Sequence, residues 1–267
     1  MRPVSPLWCY DPLPDPRECR YDGPDAVPEP SILLIRRTIL VFFVLSMALN
    51  AALMVPRFGW WCVPALFAGW YAADCVSGLV HLVLDYHPCP TGRGIYEIYY
   101  YDGNRESADY QAMRRACMAQ LSLFERITFD FKTHHPRPEA LGRRSFWAQI
   151  GSTLIIGALP ASLALNAAAL AGQAPGWLIA FGLTLITGSA LAQYFHGTLH
   201  REPPPRHIRV LRRLGLLMTP AAHQFHHDSL QRDFATNCGW SNPLVNRLFV
   251  VLRGRGLLDD LGLTPQG

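Results

Sequence analysis

Four long apolar stretches dominate the chain, separated by tight turns or by polar, charge-bearing segments. The first runs without a charge from Thr38 to Val55, behind the pair Arg36-Arg37. About 18 apolar residues in helical form cross a bilayer, so the pattern predicts a span over 38–55. Pro56-Arg57 makes a short turn, and a second run covers 58–84. Trp60-Trp61 open it, and their amphipathic rings suit a membrane interface. The third run, 146–171, contains Pro160, which a membrane helix accommodates as a kink. An uncharged turn at 172–176 leads into the fourth, 177–199, which Glu202 and three prolines bring to a stop. The expectation is an all-α fold: an integral membrane four-helix bundle, with the polar segments gathered into a cap.

Those polar segments differ in kind. Residues 1–30 alternate prolines with Asp and Glu, and no basic stretch leads into an early apolar core, so they read as a disordered tail and not a signal peptide. Residues 86–145 are basic and carry Tyr96, Tyr99, Tyr100 and Tyr101 close together. Within them the pattern predicts a helix from Ser107 to Ile127, with Ser107 or Asp109 at its start. Prolines directly after His134-His135 end that segment. Arg206 to Met218 is amphipathic at helical spacing, suited to a membrane surface or to the outside of a cap. The expected organisation is one membrane domain over 31–255, with a short tail over 256–267.

Composition sharpens this picture. Half of the 267 residues are hydrophobic and 16% are charged, against roughly a quarter in soluble domains. The net charge of +4 reflects arginines in particular loops and gives no nucleic-acid-binding stripe. Seven cysteines without a C-x-x-C pair argue against a disulfide framework and against a thiolate zinc site.

The apolar frame makes its few ionisable residues conspicuous. Asp74, His81 and Asp85 lie in the second run at spacings of seven and four, which puts them, with Gly78, on one helical face. Such residues in a span face partners inside the bundle. His196 and His200 close the fourth run one turn apart, so both rings can reach one ion. The doublet His134-His135 and the box His223-Gln224-Phe225-His226-His227 lie in the polar segments. Arginines cluster before the first span, before the third and after the fourth, while the turn at 172–176 has none. Four spans with both termini cytoplasmic satisfy the positive-inside rule and bring all four groups to one membrane face, in the cytoplasm.

The candidate metal ligands are therefore His81, Asp85, His134, His135, His196, His200, His223, His226 and His227, with Asp85 also the candidate catalytic residue. Nine ligands exceed one ion's needs, since a structural zinc takes four and a catalytic zinc three. Two metals, each with an open position, fit better, and adjacent histidines can point to different ions. Imidazole suits iron, copper, nickel and zinc alike. A site at the cytoplasmic mouth of a bundle admits a lipid chain from the side and electrons from a soluble donor. Asp74 is a candidate orienter of a ligand, as are Asp228 and Asn242, though each also suits a structural hydrogen bond. His87 and His207 read as surface residues.

The ordered motifs resemble the Kua or CarF-type lipid desaturases. That family shows A-D-x-x-S-G-x-x-H-W-x-x-D, here Ala73 to Asp85; E-H-H-x-x-P, here Thr133 to Pro138; H-x-x-x-H at His196; H-x-x-H-H at His223; and G-W-x-N-x-P, here beginning Gly239-Trp240-Ser241-Asn242-Pro243. The likeness runs from Ala73 to Leu248. Leu82, Thr133 and Thr198 depart from the family's usual residues, and the segment after Asp85 is longer. The resemblance implies a pair of irons, O2, a lipid acyl or alkyl chain as substrate, and electrons from an external ferredoxin or cytochrome b5 type donor. A hydroxylase with the same centre would begin with the same hydrogen abstraction. A zinc-dependent hydrolase lacks its H-E-x-x-H motif here, and a metal transporter would hold its site nearer mid-bilayer.

Overall fold

The computed structural model describes residues 30–267, so the tail expected over 1–30 lies, but for Pro30, outside the described residues. Helices joined by turns and loops make up the described chain, with no strand among the described residues. Four helical segments are long and apolar enough to cross a membrane: Pro30–Arg57, Cys62–Tyr86, Phe146–Leu170 and Gly176–Leu199. They match the four expected runs within a few residues, except that α1 (Pro30–Met54) starts earlier and takes in Arg36-Arg37. The protein is a four-span membrane protein with a helical cap.

The spans are α1, α2 (Cys62–Tyr86), a composite third helix and α9 (Gly176–Leu199). In the third, α7 (Phe146–Thr153) passes through a π-turn at Leu154–Ala158 into α8 (Leu159–Leu170). The Leu159 N–H reaches back five residues to the Leu154 carbonyl. Pro160, with no N–H and a ring that crowds the preceding turn, follows directly, and the widened turn absorbs the mismatch that the sequence predicts as a kink.

α9 is the central helix. α2 packs along it closely because small residues line the contact: a Cβ on Gly69 would lie 2.2 Å from the Phe181 carbonyl oxygen, and one on Gly188 would lie 2.6 Å from Ala73. α1 meets α8 through buried polar side chains, with the Ser46 and Ser162 hydroxyls 2.6 Å apart and the Asn50 and Asn166 amides donating to them. With no hydrophobic drive between helices in lipid, such bonds and close packing hold them together. α2 and the third span stand apart, with α9 between them.

The cap holds α3 (Ile95–Tyr99), α4 (Ala108–Ala119), α5 (Leu123–Lys132), α6 (Pro138–Gly142), α10 (Arg206–Arg213), α11 (Pro220–Ser229) and α12 (Asn242–Gly254). The single helix expected from Ser107 to Ile127 is two. Ser107 does begin the first, but Ser122 and Glu125 form a capping box that starts α5 afresh. α10 is shorter than the amphipathic pattern suggests. Gly215 at φ +71° ends it, with Leu216 N–H bonded to the Leu211 carbonyl and Gly215 N–H to that of Arg212. Residues 256–267 are no loose tail: Leu258 and Leu263 pack with Tyr86 and Phe249, and Gly262 lies against the Tyr86 backbone.

Candidate metal centre

α2 supplies two of the nine candidate ligands, His81 and Asp85, and docks the segment that follows α11. Asp74, Ser77, Gly78, His81 and Asp85 share one face, as the spacing predicts, and all are buried. The Asp74 carboxylate accepts from the N–H groups of Cys238 (2.8 Å), Gly239 (3.0 Å) and Ser241 (2.9 Å) and from the Ser241 hydroxyl (2.7 Å). One turn on, Ser77 Oγ accepts the Thr236 N–H at 3.1 Å, and Gly78 lets Ala235 come within 3.1 Å of where a Cβ would stand. Asp74 thus anchors the return segment 235–241 and, among the described residues, has no hydrogen bond to a histidine: of the two roles it suits in the sequence, it takes the structural hydrogen bond. Asn242 accepts from Ala235 N–H and Asp228 from the Gln224 amide, the structural hydrogen bonds that both also suited.

The anchored return segment holds α11 over the ends of α2 and α9. Thr219 caps α11 by accepting the Ala222 N–H, with Pro220 in its first turn. The i, i+3, i+4 spacing then turns His223, His226 and His227 inward. Below them, α5 ends at Lys132, and His134-His135 follow its cap residue Thr133. His81 and His196 come up from the two span ends.

All nine expected side chains converge, in two sets. His134, His196, His200, His223 and His227 form one; His81, Asp85, His135 and His226 form the other, and within each set the ligand atoms lie within 4.8 Å of one another. Both adjacent pairs divide: His134 and His227 join the first set, His135 and His226 the second. In the second set, Asp85 carboxylate oxygens stand 3.4 Å from His81 Nε2, 3.3 Å from His135 Nε2 and 3.3 Å from His226 Nε2. In the first, His223 Nε2 lies 3.1 Å from Nε2 of both His196 and His227. Two nitrogens bound at right angles to one ion at about 2.1 Å are about 3.0 Å apart.

The polar atoms fit a metal better than they fit one another. Among the described residues, buried His81 Nδ1 and Nε2, both Asp85 carboxylate oxygens, and Nε2 of His134, His135, His200 and His226 have no hydrogen-bond partner. Such groups are costly to bury unless something else satisfies them. The backbone meanwhile sets two tautomers. His226 Nδ1–H donates to the Arg232 carbonyl at 2.8 Å, and His134 Nδ1–H donates to that of Phe131, leaving each Nε2 lone pair facing the centre. Burial, reinforced by neighbouring imidazoles, holds His134, His135 and His223 well below the usual histidine range and brings His200 to about 3 and His227 to about 4. These rings are neutral at pH 7, the form that binds metal.

Sequence reasoning missed Lys132. It is wholly buried, and its ammonium donates to the carbonyls of Leu84, at 2.9 Å, and Asp85. Burial lowers it to about 8. It clasps the last turn of α2, the turn that carries Asp85. The available signal is its place between Phe129, Phe131 and the histidine doublet, where a surface lysine is out of keeping. His87 and His207 are exposed, as expected, against Phe124 and Tyr194 respectively.

Residues 119–253, just over half of the chain, match the profile of the lipid desaturase domain family. The chain belongs to that family. It is also 26% identical to a plasmanylethanolamine desaturase of Myxococcus xanthus over 247 residues, which cover 89% of this chain and 76% of that protein. No solved structure matches it. As a lipid desaturase, an oxidoreductase, it needs room for a lipid beside its centre. A slot of about 770 Å³ opens between α2 and the third span, with α9 as its floor. His81 of one set and His196 of the other line it, with Val76, Val80, Ile156 and Ala161 further down.

Proposed function

We propose that the protein is an O2-dependent, non-haem di-iron desaturase that introduces a double bond into an acyl or alkyl chain lying in this slot. The observation that carries the reading is the division of nine converging side chains, most of them buried, into two sets, one ring from each set lining an apolar slot. His134, His196, His200, His223 and His227 hold one iron; His81, Asp85, His135 and His226 hold the other. Bound there, two irons supply with O2 the oxidising power to remove hydrogen from an unactivated C–H bond. The balance is a CH2–CH2 unit, O2, two electrons and two protons giving CH=CH and two waters. The electrons come from an external carrier of the ferredoxin or cytochrome b5 type.

The side chains supply position and dryness. Val76, Val80 and Ile156 hold the chain in apolar surroundings, and Phe131 packs edge-on to His81 with ring centroids 4.7 Å apart. Asp85 offers the only carboxylate of the nine, to balance cationic charge and to take or return a proton. Charge placement supports a cytoplasmic centre. Arg36 lies over Trp147 at the histidine end, while the opposite end, 55–61 and 171–176, carries Arg57 as its one basic residue.

The purified protein is expected to hold about two irons and to yield lipid two hydrogens lighter, only when O2 and reductant are both present. Metal analysis with lipid mass spectrometry tests this. A product heavier by one oxygen would make it a hydroxylase, and full activity with zinc in the absence of O2 would reject redox chemistry.

A further inference from the structure

The slot continues well past the histidines, and its deep wall is made by the π-turn. We infer that Gly157, at that turn, is a specificity-determining residue: it leaves the slot open for the far end of the lipid chain, so that its size sets the chain length accepted. This rests on the desaturase reading of the site and names what that reading leaves open.

Three observations converge on Gly157. It lines the slot, and a Cβ added there would meet nothing within 4 Å, unlike Gly69 or Gly188, where packing demands the glycine. It lies inside the π-turn Leu154–Ala158, which also contributes Ile156 and Ala158 to the slot wall. And the slot has a chemical end: His81 of one ligand set and His196 of the other line it nearer the cap.

The depth follows from contacts between the third span and α9, which run in opposite directions. Gln149 lies against Gly197, Thr153 Oγ1 donates to the Ala190 carbonyl at 3.2 Å, and Ala158 packs with Ile186. Gly157 is therefore level with Ile186, ten residues below His196 on α9. At 1.5 Å per residue that is about 15 Å. Carbon–carbon bonds of about 1.5 Å at tetrahedral angles advance an extended chain by about 1.25 Å per methylene, so about a dozen methylenes separate the two levels. A bulky side chain at 157 then obstructs chains extending further beyond the reacting carbons. One at Ala161, a turn deeper on the same wall, obstructs only longer ones.

The test uses wild type, Gly157→Ala, Gly157→Phe and Ala161→Phe, each reconstituted with phospholipids bearing lauroyl, myristoyl, palmitoyl, stearoyl and arachidoyl chains. One readout is unsaturated product at each chain length with O2 and reductant. The other is the chain-length profile of lipid retained by the metal-free protein, read by native mass spectrometry. Gly157→Ala, which adds one methyl group, should lower the longest chain relative to the shortest by less than Gly157→Phe does. Gly157→Phe should cut the longest chain relative to the shortest by ~10-fold or more, the scale at which a filled apolar pocket discriminates. Ala161→Phe should move the limit less. An unchanged profile in Gly157→Phe, or equal loss at every length with iron retained, overturns the inference. Should Gly157→Phe fail to fold, Ala161→Phe decides by the same criterion. Retained lipid that shifts as expected, from a wild type that forms no unsaturated product, would sink the desaturase reading and leave the gauge standing.

Discussion

Asp74 and Asp85 lie on one face of one helix, three turns apart, and both are wholly buried. Burial does not distinguish them; their partners do. Asp74 meets four donors from one turn of backbone and a serine. Asp85 meets three imidazole nitrogens and has no hydrogen bond to its carboxylate oxygens among the described residues. The first carboxylate is completed by protein and holds a segment in place. The second has no such completion among the described residues, which is what marks it as a candidate ligand. A buried charge must be compensated, and the kind of compensation separates scaffold from site.

The sharpest way to break that comparison is to remove each carboxylate in turn. Asp85→Ala is expected to abolish desaturation and to lose most of one metal equivalent, while Asp74→Asn keeps the metal-to-protein ratio in whatever folds. The second variant should instead be less stable by about 3 kcal/mol, since charge-assisted hydrogen bonds are lost. Metal analysis beside thermal unfolding separates the two, and metal loss in Asp74→Asn alone would reverse the assignment.

A smaller effect is expected at Lys132, which bonds to the backbone of Asp85 and not to its carboxylate. Lys132→Met should weaken metal retention about 10–100-fold, the usual scale for groups behind a ligand. Lys132→Arg should recover part of it if hydrogen bonding to the helix end is what matters. Chelator titration followed by metal analysis reads both, and equal retention in Lys132→Met would assign the lysine to packing alone.

The smallest effect concerns protons. His200 and His227, at about 3 and about 4, sit below the ordinary histidine value of 6.5. As pH falls from 6.5 toward 4, the unfolded chain binds protons that the folded one refuses, so the metal-free protein should lose stability in that window. A melting temperature that falls with acid in metal-free wild type, and falls less in His227→Gln, is the expected result. A flat profile from pH 7 to 5 would mean that these rings are better solvated than their burial indicates.

Much of this was legible in the chain. The four apolar runs translate directly into four spans, because helix length and bilayer thickness leave little choice. The ligand residues were visible because histidine and aspartate are expensive in such surroundings. The helix break at 120–122 was legible too, in Ser122 and Glu125, but the apolar periodicity runs across it and masked the capping signal. Asp74 could be placed on a face but not given a partner, since that partner lies more than 160 residues away.

Sequence by itself therefore determined the membrane architecture, the set of histidines and the aspartate that converge as candidate ligands, and the family, all of which rest on local composition, spacing and order. Only the tertiary structure decided which histidines share a set, that each adjacent pair divides, that Lys132 is buried beneath Asp85, and that α2 and the third span leave a slot between them. Neighbours along a chain are set by bond geometry. These juxtapositions depend instead on how segments far apart in sequence pack against α9, and no local pattern carries that information.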